Sequence, residues 1–357
     1  MIHRFLDKLD PLCRLGFGKP RQLLGVDIGT TSIKVCLLKK TKEGRFALSG
    51  LAHRSYDHDL LHDGNIVDRP FVAGELKDLL DAGSIRTRNA ASALSSYSVI
   101  TKRVTMPVLE KEALESAVRI EVENIIPFPL KDIYYSYYIM GADEEKDRMM
   151  NLLIVAAKKE IIEGYMKTFE LAGLNLCVLD VDIFAITNLI EQIYTPESSS
   201  ILAADIGASV TNIAIVKGVN LEFTREILVG GKHVTQELGK PQNLDYREAE
   251  EKKLKGDDAT GVLYDFVANI SSEINKTVNF YVATKPRETV GKIYLTGGSS
   301  LVPGLKAQIE SDTGIGVEFL NPFLNLDDGG HAPTEESQEF FMPVALSLST
   351  RRNESAR

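Results

Sequence analysis

Two short stretches of this 357-residue chain carry the same chemical groups in the same order. In the first, Leu24-Gly25-Val26-Asp27-Ile28-Gly29-Thr30-Thr31-Ser32-Ile33-Lys34-Val35, an apolar strand delivers an Asp, turns through Gly and hydroxyl residues, and enters a second strand. Residues Leu202-Ala203-Ala204-Asp205-Ile206-Gly207-Ala208-Ser209-Val210-Thr211-Asn212-Ile213 repeat it without a gap. The pattern suits a triphosphate. Gly29 and Gly207 lack a Cβ, so the backbone can approach phosphate closely. Turn N–H groups, with the hydroxyls of Thr30, Thr31, Ser32, Ser209 and Thr211, can donate to phosphate oxygens. Asp27 and Asp205 would repel phosphates unless each holds Mg²⁺ through water, as hydrated Mg²⁺ prefers. Lys34 can reach the β- or γ-phosphate as a point charge, while its counterpart Asn212 carries none.

A third stretch follows in chain order. Ile293-Tyr294-Leu295-Thr296 reads as a strand ending in Gly297-Gly298-Ser299, with a helix expected from about Pro303. The flat backbone of the paired glycines can lie against an adenine or ribose. A single D-x-G turn is a routine hairpin, and a strand-to-helix Gly-Gly is routine too. The ordered set of three separates this chain from coincidence.

These motifs resemble the phosphate-1, phosphate-2 and adenosine motifs of the superfamily of actin, heat-shock chaperones and sugar kinases. The resemblance implies a duplicated, ribonuclease H-like α/β fold of two lobes, with ATP or ADP and Mg²⁺ between them. It adds Gly230-Gly231 to the site, and it gives Glu250 and Lys253 of Ala249-Glu250-Glu251-Lys252-Lys253 to the ribose and the adenine side. The chance reading of that pair is a charged, solvated helix face.

Residues 98–151 narrow the resemblance. A strand reaches Pro107, a helix over Glu110 to Val122 carries Leu114, Ala117, Val118 and Val122 on one stripe, and Ile126-Pro127-Phe128-Pro129 halts it. Strands over Ile133–Met140 and Leu152–Ala157 complete a β-α-β-β insert. It resembles the special subdomain of the cell-division actin homologue FtsA, and more closely the PilM family of type IV pilus assembly. Val155-Ala156-Ala157-Lys158-Lys159-Glu160, Ala172-Gly173-Leu174 and Val181-Asp182-Ile183-Phe184-Ala185 also match that family. The expected domains are an amino-terminal arm to residue 22, a lobe I base over 23–97 and 152–199, and the insert over 98–151. Lobe II has its base over 200–230 and 289–350 and an upper part over 231–288, before a polar tail over 351–357.

The family implies a cytoplasmic adaptor peripheral to the inner membrane, docking the amino-terminal tail of a PilN-like protein between insert and lobe I base. A filament-forming, self-associating FtsA-like protein and a small-molecule kinase are the competing functions. Hydrolysis is expected to be slow or absent, since only Asp180 or Asp182 offers a group to orient water, and either can instead cap the following helix. No catalytic residue is assigned.

Bulk properties agree with these readings. Two lobes suit the length, and a net charge of -9 argues against a nucleic-acid partner. Cys13, Cys36 and Cys177 are too scattered for a disulfide frame. None of the six histidines forms a helical ligand pair, and no apolar run reaches the roughly 20 residues of a membrane span. Ile2, Phe5, Leu6, Leu9 and Leu12 recur at helical spacing in the arm, without a signal-peptide pattern.

Overall fold

A computed structural model describes residues 22–42, 45–143, 146–193, 199–218, 220–324, 326 and 344. The arm and the tail lie outside them.

Lobe I begins with β1 (Leu24–Ile28), β2 (Ser32–Lys40) and β3 (Phe46–Ser55), then the small pair β4 (Leu61–His62) and β5 (Asn65–Ile66). Helix α1 (Arg69–Ala82) follows, its amino end capped by the Asp68 carboxylate accepting from Phe71 N at 2.9 Å. Strand β6 (Asn89–Leu94) leads to the insert, made of β7 (Val99–Pro107), α2 (Lys111–Ile125), β8 (Ile133–Ala142) and β9 (Met149–Lys158). Helix α3 (Lys159–Leu171), β10 (Asn175–Val181) and α4 (Asp182–Ile193) close the lobe. Lobe II repeats the plan with β11 (Ser200–Ile206), β12 (Thr211–Lys217) and β13 (Asn220–Ile227). After them come α5 (Lys232–Gly239), α6 (Tyr246–Lys255), α7 (Val262–Thr284), β14 (Val290–Thr296), α8 (Leu305–Thr313) and β15 (Val317–Phe319).

The two large sheets share one topology. Their strand orders are β10-β6-β1-β2-β3 and β15-β14-β11-β12-β13. In each, three strands meander antiparallel and two more add in parallel to the first. Register is conserved too, because Asp27 pairs with Lys34 and Asp205 with Asn212. The internal strands read as almost unbroken apolar runs, such as Ile201 to Ala204 and Ile213 to Val216, because helices cover both faces. Helix α4 lies between the lobes: Ala185, Ile186, Leu189 and Ile190 share one core with Leu38 and Phe46 of lobe I and Ile201 and Tyr294 of lobe II.

The insert has its own core. Leu114, Val118 and Val122, spaced i, i+4, i+8 on α2, pack on Met106, Ile133, Leu152 and Ile154 of the three-stranded sheet β7-β9-β8. Its helix runs three residues past Val122 and stops where Pro127 forbids another turn. Strand β9 runs to Lys158 inside this sheet, so the insert includes the expected Leu152–Ala157 strand and extends beyond the expected domain bound at residue 151. Tyr135 and Tyr137 pack on the insert core, whereas Tyr134 faces α3 and donates to Glu163. The helix expected at Pro303 starts at Leu305, preceded by a 3₁₀ turn over Gly298–Leu301 and by Gly304 at φ +83°.

Candidate functional site

Each D-x-G hairpin closes on itself. Gly29 N donates to Ser32 O at 2.8 Å, and Gly207 N to Val210 O at 3.0 Å. Those two N–H groups are therefore spent inside the turns, and binding falls to the rest of each loop. The loops bring Asp27, Gly29, Thr30, Thr31, Ser32 and Lys34 of lobe I against Asp205, Gly207, Ala208, Ser209 and Asn212 of lobe II, around one cavity of about 820 Å³. That volume lies within the usual range of small-molecule sites. Gly297, Gly298 and Ser299 line its lobe II wall, with Glu250 and Lys253 of α6.

Helix α6 is fixed at both ends, by a capping box between Asp245 and Glu248 and by Gly256 at φ +74°. Its Glu250 and Lys253 lie one turn apart and form an ion pair at 2.6 Å, while Glu250 also accepts from Thr235 Oγ1 at 2.5 Å. Lys253 is buried, and desolvation draws its ammonium below the ordinary lysine value. This charged segment is thus a built part of the cavity wall, not a solvated face.

Lys34 donates to Asp27 at 3.1 Å and to Ser32 Oγ at 2.9 Å. Across the cleft, burial and then the charges of Asp182 and Asp27 push Asp205 up to about 7, against a smaller opposing pull from Lys34. Asp182 is pushed up to about 6, chiefly by burial, and accepts from Ser96 N at 3.0 Å, the Ser96 hydroxyl, Ile183 N at 2.6 Å and Asn212 Nδ2 at 2.9 Å. Asp180 does not line the cavity; its carboxylate accepts from Val181 N.

Three expected contacts fall elsewhere. Thr211 donates to Val229 O at 2.8 Å and does not line the cavity, because alternation along β12 turns it to the opposite face from Asn212. Gly230 and Gly231 stand behind the lobe II loop. A Cβ on Gly230 would meet the Ala208 backbone at 2.4 Å, and one on Gly231 would meet Ser299 Oγ at 2.2 Å. They let the chain pass close behind the turn and shape the wall without forming it. Residues absent from the motif reading include Arg54, Tyr56 and Tyr246. Tyr246 precedes Glu250 and Lys253 by four and seven residues, so one helical face carries all three, a spacing visible in the sequence. Its hydroxyl lies beside Thr31 of lobe I and Thr235 of lobe II, and Lys232 pairs with Asp59, so the lobes are tied across the mouth of the cleft.

The donor set fits a magnesium–nucleotide. Asp27, Asp182 and Asp205 line one cavity, and the charge of Asp27 adds to burial in holding Asp182 and Asp205 up, an excess of negative charge that a divalent cation relieves. Gly297, at φ +84° and with room for no Cβ beside Asp205 Oδ1 (2.5 Å), keeps the carboxylate and the base-side wall close together. Among the described residues no cluster of three His, Cys, Asp or Glu is placed to hold a metal.

A second cavity, of about 430 Å³, opens on the other side of Asn212 and Ser96. Val99, Thr101 and Arg103 of β7 border it from the insert, Ile183 and Phe184 from α4, and β13 from lobe II. Arg103 reaches across to the Leu221 carbonyl. Glu226 on this wall is pushed up to about 7 by burial and by the Asp182 charge.

The sequence profile of the family described as type IV pilus assembly protein PilM matches residues 25–350. The chain belongs to this family. A solved PilM-PilN type IV pilus biogenesis complex superposes on this PilM-family protein with a TM-score of 0.82 and 26% identity, over 93% of this chain and 99% of that one. The cell-division protein FtsA of Streptococcus pneumoniae is 22% identical, covering 84% of this chain and 75% of its own length. The ethanolamine utilization protein EutJ of Carboxydothermus hydrogenoformans aligns over 93% of this chain and 90% of its own, at 15% identity and TM-score 0.55. MreB 5 of Spiroplasma citri bound to AMPPNP aligns over 94% and 98%, at 11% and 0.51. The last two share the actin-like fold, the architecture expected from the duplicated hairpins. The PilM-family protein is thus a type IV pilus assembly protein on an actin-like fold. No helix among its described residues is long and apolar enough to cross a membrane.

Proposed function

We propose that this PilM-family protein is a cytoplasmic adaptor of the pilus assembly platform, peripheral to the inner membrane, that binds ATP or ADP with Mg²⁺ and docks the amino-terminal tail of a PilN-like membrane protein. The observation that carries the nucleotide reading is the convergence of Asp27 and Asp205 on one cavity from two sheets of identical topology. The loops of Thr30–Ser32 and Ala208–Ser209 cradle the phosphates, Asp27 and Asp205 hold the hydrated ion, and Glu250, Lys253 and the Gly297-Gly298 backbone take the nucleoside. When bound, the ion supplies positive charge that phosphate and carboxylates share. Asp182 orients no water freely, because Ser96, Ile183 and Asn212 already occupy its carboxylate, so turnover is slow.

Support for the partner comes from the likeness to the PilM-PilN complex and from the second cavity, which lies where the insert, helix α4 and β13 of lobe II meet. An extended tail entering there meets Val99, Leu153 and Phe184 as side-chain pockets, with main-chain bonding available at the edge strands. Calorimetric titration with ATP and ADP, with and without Mg²⁺, tests the first half; absence of binding in every condition overturns it. Fluorescence anisotropy of a labelled PilN-like tail peptide tests the second, and a flat titration overturns that half.

A further inference from the structure

The backbone behind each phosphate loop repeats as the loops themselves do. Leu60 and Lys232 each stand five residues past the third strand of their lobe, β3 ending at Ser55 and β13 at Ile227. Leu60 N donates to Thr30 O at 2.8 Å, and Lys232 N donates to Ala208 O at 2.8 Å. Thr30 and Ala208 are themselves equivalent, three residues after Asp27 and Asp205. In each lobe, then, the same backbone donor holds the same carbonyl of the same hairpin. Flanking bonds add to it: Tyr56 N donates to Thr31 O at 2.8 Å, and Gly231 N to Gly207 O at 3.1 Å.

The side chains have diverged where the backbone has not. Leu60 is buried, whereas its counterpart in lobe II is Lys232; beside Leu60, Asp59 stands where lobe II has Gly231. Gly231 has no room for a carboxylate, since a Cβ there would meet Ser299 Oγ at 2.2 Å. Each lobe therefore carries one charge behind its loop, and the two charges meet. Lys232 Nζ donates to Asp59 Oδ1 in a partly buried ion pair between the lobes. This pair links the Thr30 carbonyl to the Ala208 carbonyl through the two backbone donors. Tyr246, which lines the cavity, lies beside Thr31 and Thr235 and is near enough to feel the Asp59 charge.

We propose that Asp59 and Lys232 are positioning residues for the nucleotide: their ion pair clasps the two phosphate loops at one separation, and the nucleotide leaves only when the clasp opens. What the loops hold rests on the nucleotide reading; the link between them does not. Neither side chain lines the cavity, so both act through the loops and not on the phosphates directly. A contact between lobes favours the arrangement in which they are close, and a ligand held by both loops favours the same arrangement. Clasp and nucleotide therefore stabilise each other. The rival account is a plain field effect, in which an ammonium near phosphates attracts them and a carboxylate repels them. The two accounts differ in sign at Asp59. By field alone, Asp59→Asn retains the nucleotide longer; with a broken clasp, it releases it sooner.

Stopped-flow release of N-methylanthraniloyl-ATP with Mg²⁺ from the full chain, chased by excess ATP, decides between them. Asp59→Asn and Lys232→Met are each expected to release it about fivefold faster, with the association rate not reduced. The double variant should match either single one, because the two side chains act as one contact. Unchanged or slower release from Asp59→Asn overturns the proposal, and so does a double variant whose effects add. A second measurement needs no ligand. In the nucleotide-free chain, amide exchange followed by NMR is expected to quicken about fivefold at both Leu60 and Lys232 in Asp59→Asn. Exchange that quickens at Leu60 alone, or at neither, overturns the clasp. If the labelled nucleotide does not bind the wild-type chain, the nucleotide reading falls. Exchange at Lys232, in the lobe opposite the substitution, then decides the link by itself.

Discussion

Asn212 donates to Asp182 at 2.9 Å, and this one bond crosses from the second strand of lobe II to the first turn of the helix between the lobes. Asp182 is held at the same time by Ser96, in the turn at the root of the insert. A single carboxylate therefore ties three parts of the molecule together at the floor of the cleft, where the two cavities share Asn212 as a wall. What binds on one side of that wall meets the residues that line the other.

Gly297 has little freedom to change. Its φ of +84° disfavours any L side chain, and a Cβ would lie 2.5 Å from Asp205 Oδ1. Gly297→Ala is expected to destabilise the fold by about 2 kcal/mol and to weaken magnesium–nucleotide binding at least tenfold. Chemical denaturation and calorimetry, run on the same preparation, check the two effects.

Thr211 behaves differently. Its hydroxyl serves the Val229 carbonyl and faces away from the cleft. Thr211→Val is expected to cost about 1 kcal/mol of stability while nucleotide affinity stays at the wild-type value. A loss of affinity in the titration, with the fold intact, would contradict the orientation of β12.

Acidity provides a third handle. Burial and neighbouring negative charge hold Asp205 up to about 7 and Asp182 up to about 6, both above the unfolded carboxylate value of about 4. In the ligand-free chain these acids keep their protons longer when folded. Their contribution to stability is complete below the unfolded value and is lost as pH rises through 6 and 7. A cation requires the ionised forms, so magnesium–nucleotide affinity is expected to rise several-fold between pH of about 5.5 and about 7.5, with proton release. Titration calorimetry in buffers of different ionisation enthalpy measures that release, which Asp205→Asn should diminish.

Lys253 offers a test of the helix α6 wall. It is buried and paired with Glu250 at 2.6 Å. Lys253→Met strands a partly buried carboxylate that keeps only its bond from Thr235, and a loss of about 2 kcal/mol is expected in urea unfolding. The double variant with Glu250→Gln should recover part of that loss, because the uncompensated charge goes with it.

The duplicated hairpins were legible in the sequence because a strand that delivers Asp and then Gly is a local pattern, and repeating it fixes two sheets at once. The insert was equally plain, since its proline stops and its i, i+4 stripe on Leu114, Val118 and Val122 are local too. Three-dimensional convergence was not. Nothing near Ser96 announces that its hydroxyl meets Asp182, 86 residues away. Thr211 was misread because a hydroxyl beside a phosphate loop invites that role, while strand alternation gives the inward place to Asn212. Gly230 and Gly231, which the resemblance adds to the site, carry a related ambiguity: a glycine needed for close passage of the chain has the same sequence signature as one that receives a ligand.

The root of the insert has a mechanical meaning. The chain leaves lobe I at Val99 and returns at Lys158, two ends that sit next to each other in one small sheet, with Val99 opposite Ala157. A load applied to the insert passes through this narrow neck and through Arg103, which donates to the Leu221 carbonyl of β13 in lobe II. The two routes lead to opposite lobes. A load borne by the insert thus reaches both lobes, on either side of the cavity proposed to hold the nucleotide.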